Sequence, residues 1–327
     1  MIACRQLTGL VFLLGVSTQA LAQAAPSAFT TGYRYDSLRR LVGEISPSPT
    51  PATPTVGTFV ATRYTYDVGG RLIMKEQGPL SVWQAETIAP ASWSGFGVTA
   101  TSVYTYDVAG NKVEERVSGA AGELRSITQT TYDFNNNPLC VAVRMNMGAV
   151  PTPGGNACNL GTQGSDGPDR IVKNIYDAAG QLTQIRKAFA TPLEQAYATY
   201  TYTDNGRQKF VTDANSNKAR FCYDGFDQQS RWIFPSKTTA GSTTGANDSD
   251  TTCAVSGSSD YEEYGYDANG NRTTLRRRDG VTLITYGYDA LNRVNSKSGS
   301  GSTLPAISYS YDLLGRMLAA LFTSSGL

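Results

Sequence analysis

One short pattern recurs along the chain and limits what it can become. Tyr264-Gly-Tyr266-Asp267-Ala-Asn-Gly270-Asn-Arg272 is followed by Tyr286-Gly-Tyr288-Asp289-Ala-Leu-Asn292-Arg293, and that by Tyr309-Ser-Tyr311-Asp312-Leu-Leu-Gly315-Arg316, at steps of 22 and 23 residues. Earlier copies are Tyr33-Arg-Tyr35-Asp36, Tyr64-Thr-Tyr66-Asp67, Tyr104-Thr-Tyr106-Asp107, Tyr200-Thr-Tyr202 and Phe221-Cys-Tyr223-Asp224. Looser ones are Thr131-Tyr132-Asp133 and Ile175-Tyr176-Asp177. A regular period of this size signals stacked supersecondary units.

Each unit has a physical reading. Aromatics at i and i+2 point to one face of an extended strand. The aspartate then ends the strand, because its carboxylate can bond back to turn amides. Three residues on stand Gly70, Gly110, Gly180, Gly206, Gly270 and Gly315, then Asn136, Asn292, Asp227 and Arg39. All but Arg39 are types that tolerate a left-handed backbone. The next slot is Arg, Asn or Gln throughout, from Arg40 and Arg71 to Arg293 and Arg316. This spacing predicts a β-hairpin with a type I turn and a glycine bulge in every unit.

The pattern resembles the YD repeat of the Rhs family, which is also found in teneurins and in the shell components of insecticidal toxin complexes. The resemblance covers nearly all of residues 33–317. It implies an all-β fold in which stacked antiparallel hairpins form a long, curved, spiralling sheet, part of an open shell around a toxic C-terminal domain. It implies protein partners: the rest of the shell, the toxin domain, or other YD-repeat chains. The sequence departs from full-length shells in having no Asp-Pro dipeptide, core segment or C-terminal domain. A shell portion or truncated product is therefore expected, and neither self-cleavage nor toxin activity transfers to any residue.

In chain order, residues 1–22 read as a secretory signal. Arg5 precedes an apolar core at Leu7–Val16, and Ala20-Leu-Ala22 offers a cleavage site before Gln23. The apolar run is too short to span a bilayer, and no later stretch reaches spanning length. An exported protein, extracellular, periplasmic or on the cell surface, is expected. Residues 23–60 hold the first repeat and a proline-rich spacer, and residues 61–327 hold the repeat region. Irregular insertions interrupt that region near residues 78–97, 145–168 and 235–259. Trp83 and Trp93 lie in the first insertion; an exposed pair would suit a sugar ring, whereas a buried pair would cover the sheet. Val211–Asn217 reads as a further turn whose aromatic slots have eroded.

Without Cys4, which belongs to the signal, four cysteines remain: Cys140, Cys158, Cys222 and Cys253. Three pairings are possible. Cys140–Cys158 and Cys222–Cys253 are favoured, because each would clamp an insertion, the first contributing roughly 3 kcal/mol. Four small buried thiols are the alternative.

Composition excludes several classes of chemistry. There is no histidine, which removes histidine-based catalysis and the usual zinc sites. The net charge of +1 gives no pull toward nucleic acid or anionic lipid. Glu114–Glu115 and Glu262–Glu263 are adjacent in strand-like segments and point to opposite faces. Asp267–Asn271 and Asn247–Asp250 have oxygen-rich spacing, but the first lacks the glycine and distal glutamate of a calcium loop and is explained as a hairpin turn. No enzyme, cofactor or metal is expected. The leading expectation is a structural shell protein; the alternative is a surface or secreted module that binds carbohydrate or another cell.

Overall fold

The computed structural model describes residues 30–47, 56–149, 151–235, 253–255, 260–300 and 305–323. The signal segment, most of the proline tract, the oxygen-rich stretch at 247–250 and most of the insertion at 235–259 lie outside them. Apart from a short 3-10 turn at Pro90–Ser92, every regular element among the described residues is a β-strand. No helix among these residues is long and apolar enough to cross a membrane. The chain divides into two compact units, Met1–Thr101 with Gly119–Ala121, and Ser102–Ser118 with Gly122–Leu327.

The first unit contains β1 (Gly32–Tyr35), β2 (Leu41–Ile45), β3 (Val56–Tyr66) and β4 (Leu72–Val82), each paired antiparallel with its successor. Most of the second unit is a longer antiparallel meander. It comprises β5 (Ala100–Tyr106), β6 (Lys112–Gly119), β7 (Leu124–Tyr132), β8 (Pro138–Arg144), β9 (Arg170–Tyr176), β10 (Leu182–Lys187), β11 (Gln195–Tyr202) and β12 (Gln208–Asp213). It continues with β13 (Lys218–Tyr223), β14 (Gln229–Ile233), β15 (Tyr261–Tyr266), β16 (Arg272–Arg276), β17 (Leu283–Tyr288), β18 (Val294–Ser300), β19 (Ala306–Tyr311) and β20 (Met317–Thr323). The fold is all-β, antiparallel and open. Among the described residues nothing pairs with the outer edge of β1 or of β20.

Each odd-numbered strand ends in a tyrosine and passes through its turn into the next strand. Because the strands alternate in direction, these turns share one end of each unit's ribbon. The insertions occupy the other end, where even-numbered strands pass into odd ones. Two of them fold back as covers. In the first unit, Trp93 packs with Ile45, Phe59, Ala61 and Leu80, flanked by Trp83, Ile88 and Phe96. In the second, Ala157 packs with Cys140, Ala142 and Ile171, flanked by Leu139, Cys158 and Phe189. A lone sheet in water leaves both faces wet, so these covers supply much of the apolar burial that a sheet needs.

The third residue after each turn aspartate takes a left-handed backbone. Gly70, Gly110, Gly180, Gly206, Gly270 and Gly315 do so, and so do Asn136, Asp227, Asn292 and Arg39, the last at φ 61°. The eroded turn does the same at Ser216. A second irregularity was not readable from the spacing. In the hairpins the ladder skips one residue of the return strand beside the final tyrosine: Thr65 faces Met74 while Tyr66 faces Leu72, and Gly287 faces Ser296 while Tyr288 faces Val294. The same bulge recurs at Tyr35, Tyr132, Tyr202, Tyr223, Tyr266 and Tyr311. Bulges increase local twist and leave one residue outside the ladder.

The left-handed slot gives a clean test. A Cβ on Gly110 would meet nothing within 4 Å, so Gly110→Ala isolates the backbone cost. We expect a loss of about 1 kcal/mol in urea unfolding, whereas Arg39→Gly, which relieves a β-carbon in the same conformation, shows no such loss.

Candidate functional site: the turn row and the tyrosine ladder

The repeated residues converge on one recurring constellation. At Asp267, Oδ1 accepts the amides of Asn269 (3.0 Å) and Asn271 (2.8 Å), and Oδ2 accepts the Asn271 side-chain amide at 3.0 Å. Main-chain bonds from Gly270 N to Asp267 O and from Asp267 N to Asn271 O close the turn. Where the fourth position is arginine, Nε takes the place of the amide: Arg40, Arg71, Arg293 and Arg316 each lie 2.7 Å from their aspartate. The sixth unit has Thr203 in the aspartate slot, and its hydroxyl accepts only the Arg207 amide. The eroded turn retains the full set at Asp213, with Asn215 and Asn217.

This geometry favours the ionised form of several turn aspartates. Asp36, Asp67 and Asp289 are held below the usual carboxylate range, first by the amide four residues on. In Asp133, Asp213, Asp267 and Asp312 the first cause is the side chain at that same position. The Asp267 oxygens, considered above as calcium ligands, are thus already occupied by turn donors.

The second repeated feature joins hairpin to hairpin. The tyrosine at the end of eight odd-numbered strands donates its hydroxyl to the first carbonyl of the preceding hairpin's return strand. The pairs are Tyr66 to Leu41 (2.8 Å), Tyr132 to Lys112 (3.1 Å), Tyr176 to Pro138 (3.1 Å) and Tyr202 to Leu182 (2.7 Å). Tyr223 to Gln208 (2.8 Å), Tyr266 to Gln229 (2.9 Å), Tyr288 to Arg272 (2.8 Å) and Tyr311 to Val294 (2.8 Å) continue the series. Burial raises the hydroxyl pKa of Tyr176, Tyr202, Tyr223, Tyr266 and Tyr288 above its ordinary value.

The turns also touch their neighbours. Arg40 Nη1 donates to Asp67 O at 3.4 Å, and Arg293 Nη1 to Asp312 O at 3.3 Å. Their guanidinium carbons sit 4.8 and 4.6 Å from the ring centres of Tyr66 and Tyr311, within cation–π range. Asn111 reaches Asn136, and Asn271 reaches Asn292, both at 2.8 Å.

The earlier aromatic slot behaves differently from a simple stack. Among the described residues, no two rings of the series Tyr33, Tyr64, Tyr104, Tyr200, Phe221, Tyr264, Tyr286 and Tyr309 pair with each other. Strand spacing explains this. Successive members are separated by a return strand, hence by about 9.5 Å, too far for contact. Cations from the intervening strand fill the gap: Arg272 lies 5.8 Å from Tyr264 and 5.4 Å from Tyr286.

The cysteines form two bridges, Cys140–Cys158 and Cys222–Cys253, with Cα separations of 5.2 and 6.1 Å. Beside the first runs a buried polar row. Glu114 accepts Gln129 Nε2 (2.6 Å), Gln129 Oε1 accepts Arg144 Nε (2.8 Å), and Arg144 Nη1 pairs with Asp169 (2.6 Å). The insertion closes over this row, with the Thr152 and Asn159 carbonyls and the Gly161 amide as further partners. Glu115 pairs with Lys112, Glu262 accepts the Tyr264 hydroxyl and Glu263 pairs with Arg231, so neither adjacent glutamate pair converges on one point. Trp93 is buried in the first unit's core, which leaves no exposed tryptophan pair for a sugar ring.

Two predictions follow from these bonds. The aspartates' lowered pKa values stabilise the fold above the unfolded carboxyl value near about 4, and that contribution is lost as pH falls through the lower folded values. The tyrosines' raised values contribute fully below about 10 and are lost as pH rises through the raised folded values. The thermal midpoint should therefore be flat between about pH 5 and 9 and fall on both sides. Separately, Tyr223→Phe should cost about 1 kcal/mol in denaturant unfolding, with its slope unchanged.

No family model matches the chain, and no curated protein matches it. Solved structures similar to it include the crystal structures of TcdB2-TccC3-TEV (16% identity, TM-score 0.49), TcdB2-TccC3 (15%, 0.48) and TcdB2-TccC3-Cdc42 (16%, 0.44). Each likeness covers 90% of this chain and 15% of the other, so the chain spans about 15% of the length of those it resembles.

Proposed function

We propose that the chain is an exported structural protein of the Rhs, or YD-repeat, kind, a portion of a β-wall that encloses a toxic domain for delivery or intercellular competition. The observation that carries this reading is the use made of the repeated residues. The turn aspartate, the residue four on and the ladder tyrosine bond to their own turn or to the adjoining hairpin, unit after unit. Groups repeated for wall building are what an enclosure requires. The role is structural rather than enzymatic, and the protein partners are the remaining wall and the enclosed domain. The basic, then apolar, then Ala-x-Ala order of residues 1–22 supports export.

The test is to express the full chain together with the product of the adjacent downstream reading frame in bacteria. We expect the mature chain to begin at Gln23 outside the cytoplasm, to copurify with that product and to slow its digestion by protease. Equal digestion rates with and without the chain would overturn the enclosure reading.

A further inference from the structure

The ladder is directional, and its two ends are complementary. From the β7–β8 hairpin to the β17–β18 hairpin, each hairpin both gives and receives. It receives a tyrosine hydroxyl on the first carbonyl of its return strand, and it gives the hydroxyl of its own tyrosine to the hairpin before. Within each unit the register between hairpins is also constant. The residue seven places after one turn aspartate faces the residue four places before the next: Gly43 faces Arg63, Glu114 faces Gln129, Cys140 faces Lys173, Thr274 faces Thr285 and Ser296 faces Ser308.

At the β20 end the receiving half is present without a giver. Met317 holds the carbonyl position that Val294 holds one repeat earlier, and among the described residues no tyrosine reaches it. Arg316 pairs with its own Asp312, but its side chain is 76% exposed, against 28% for Arg293 and 29% for Arg40, which lie over the next tyrosine. Met317, Leu318, Leu321 and Phe322 are all exposed. The strand has no charge or proline of the kind that protects an edge from pairing. At the β1 end the giving half is present without a receiver. Tyr35 is in the ladder slot and 61% exposed, and among the described residues its hydroxyl has no acceptor.

The geometry points to head-to-tail docking between copies of this chain, with β1 of one copy pairing antiparallel with β20 of another. The register places Ala319 opposite Gly32 of the second copy. Tyr35 of the second copy donates to the Met317 carbonyl, and Arg316 lies over that tyrosine and reaches the Asp36 carbonyl. The interface is heterologous, so each copy keeps one free end, and assembly proceeds until a ring closes or as an open chain. This inference stands on the ladder alone and does not depend on the enclosure reading.

Sedimentation velocity on the full chain tests it. The wild type self-associates with rising concentration. Tyr35→Phe weakens association about fivefold, the worth of one hydrogen bond. Arg316→Asn also weakens it, while keeping the turn bond that asparagine makes in other units. Tyr35→Asp, which sets a carboxylate against the Met317 carbonyl, and Leu321→Lys, which charges the tail, each give monomers. Mixing these two variants restores association and stops at dimers, because one keeps its tail and the other its head. A far-UV spectrum checks that each variant folds; if either blocking variant does not, the two mild variants decide. The proposal is overturned by a wild type that stays monomeric, by association that none of these changes weakens, or by mixtures of folded blocking variants that stay monomeric. If a monomeric wild type binds the neighbouring frame's product and Leu321→Lys abolishes that binding, the β20 edge belongs to that partner and not to a second copy.

Discussion

The structure depends on one carboxylate oxygen that accepts two backbone amides. When Oδ1 of a turn aspartate holds the amides two and four residues on, the residue between them is driven into the left-handed region and the chain reverses. The second oxygen then orients the side chain at the fourth position, which reaches the adjacent turn. Reversal, the bulge and the first contact between neighbours thus share a single origin. Charge-assisted bonds of this kind are stronger than neutral ones. The bonds that Asp36, Asp67, Asp267, Asp289 and Asp312 accept favour the ionised form and hold their carboxyls below the usual range, so ionisation and turn support each other.

What the turn does at one end of a hairpin, the tyrosine does between hairpins. A sheet face exposed to water gains little from polar side chains unless they find fixed partners. The ladder tyrosine spreads an aromatic ring over the neighbouring return strand and places its hydroxyl on a main-chain carbonyl, so ring burial and hydrogen bonding act together. The acceptor belongs to the backbone and does not depend on which side chain the preceding unit carries. Leu41, Lys112, Pro138, Gln208 and Arg272 all serve. This explains how return strands of very different composition follow one tyrosine. Contacts run mainly from each hairpin to its neighbours, so stability approximates a sum over units and the interfaces between them.

The turns were legible in the sequence because their chemistry lies in side chains. Asp267 and Gly270 announce a reversal, and alignment of the slots placed even Arg39 at the left-handed position against its own preference. The ladder was not legible, because its acceptor is a carbonyl that every residue type possesses. The bulge beside Tyr66 was hidden for a related reason: Leu72 and Ile73 look like consecutive strand residues, and only the ladder shows that one is skipped. The period in sequence also does not state what lies between successive first-slot tyrosines: a return strand carrying Arg272 or Lys297 intervenes and keeps their rings apart. The insertions offered little periodicity, and nothing in residues 83–96 stated which face their tryptophans would cover.

The insertions resolve a tension that the repeat creates. A ribbon rich in tyrosine, threonine, serine and glycine has limited apolar area to bury, and repetition alone multiplies that shortage. The covers at Trp93 and Ala157 offset it locally, and their segments leave the sheet at the end opposite the turns. The second cover lies over charge as well as over apolar groups. Arg144 and Asp169 are almost fully buried, which costs solvation, and such a pair is favourable only when its remaining donors and acceptors are satisfied. Here Gln129, the Asn159 carbonyl and the amides of Met145 and Gly161 satisfy them. Partners drawn from the sheet and from the insertion mean that neither side is complete without the other. The Cys140–Cys158 bridge ties together the same two parts. The cover is held by directional bonds, so it has a unique seat on a sheet whose other interfaces repeat, and the repeat can be interrupted there without losing register.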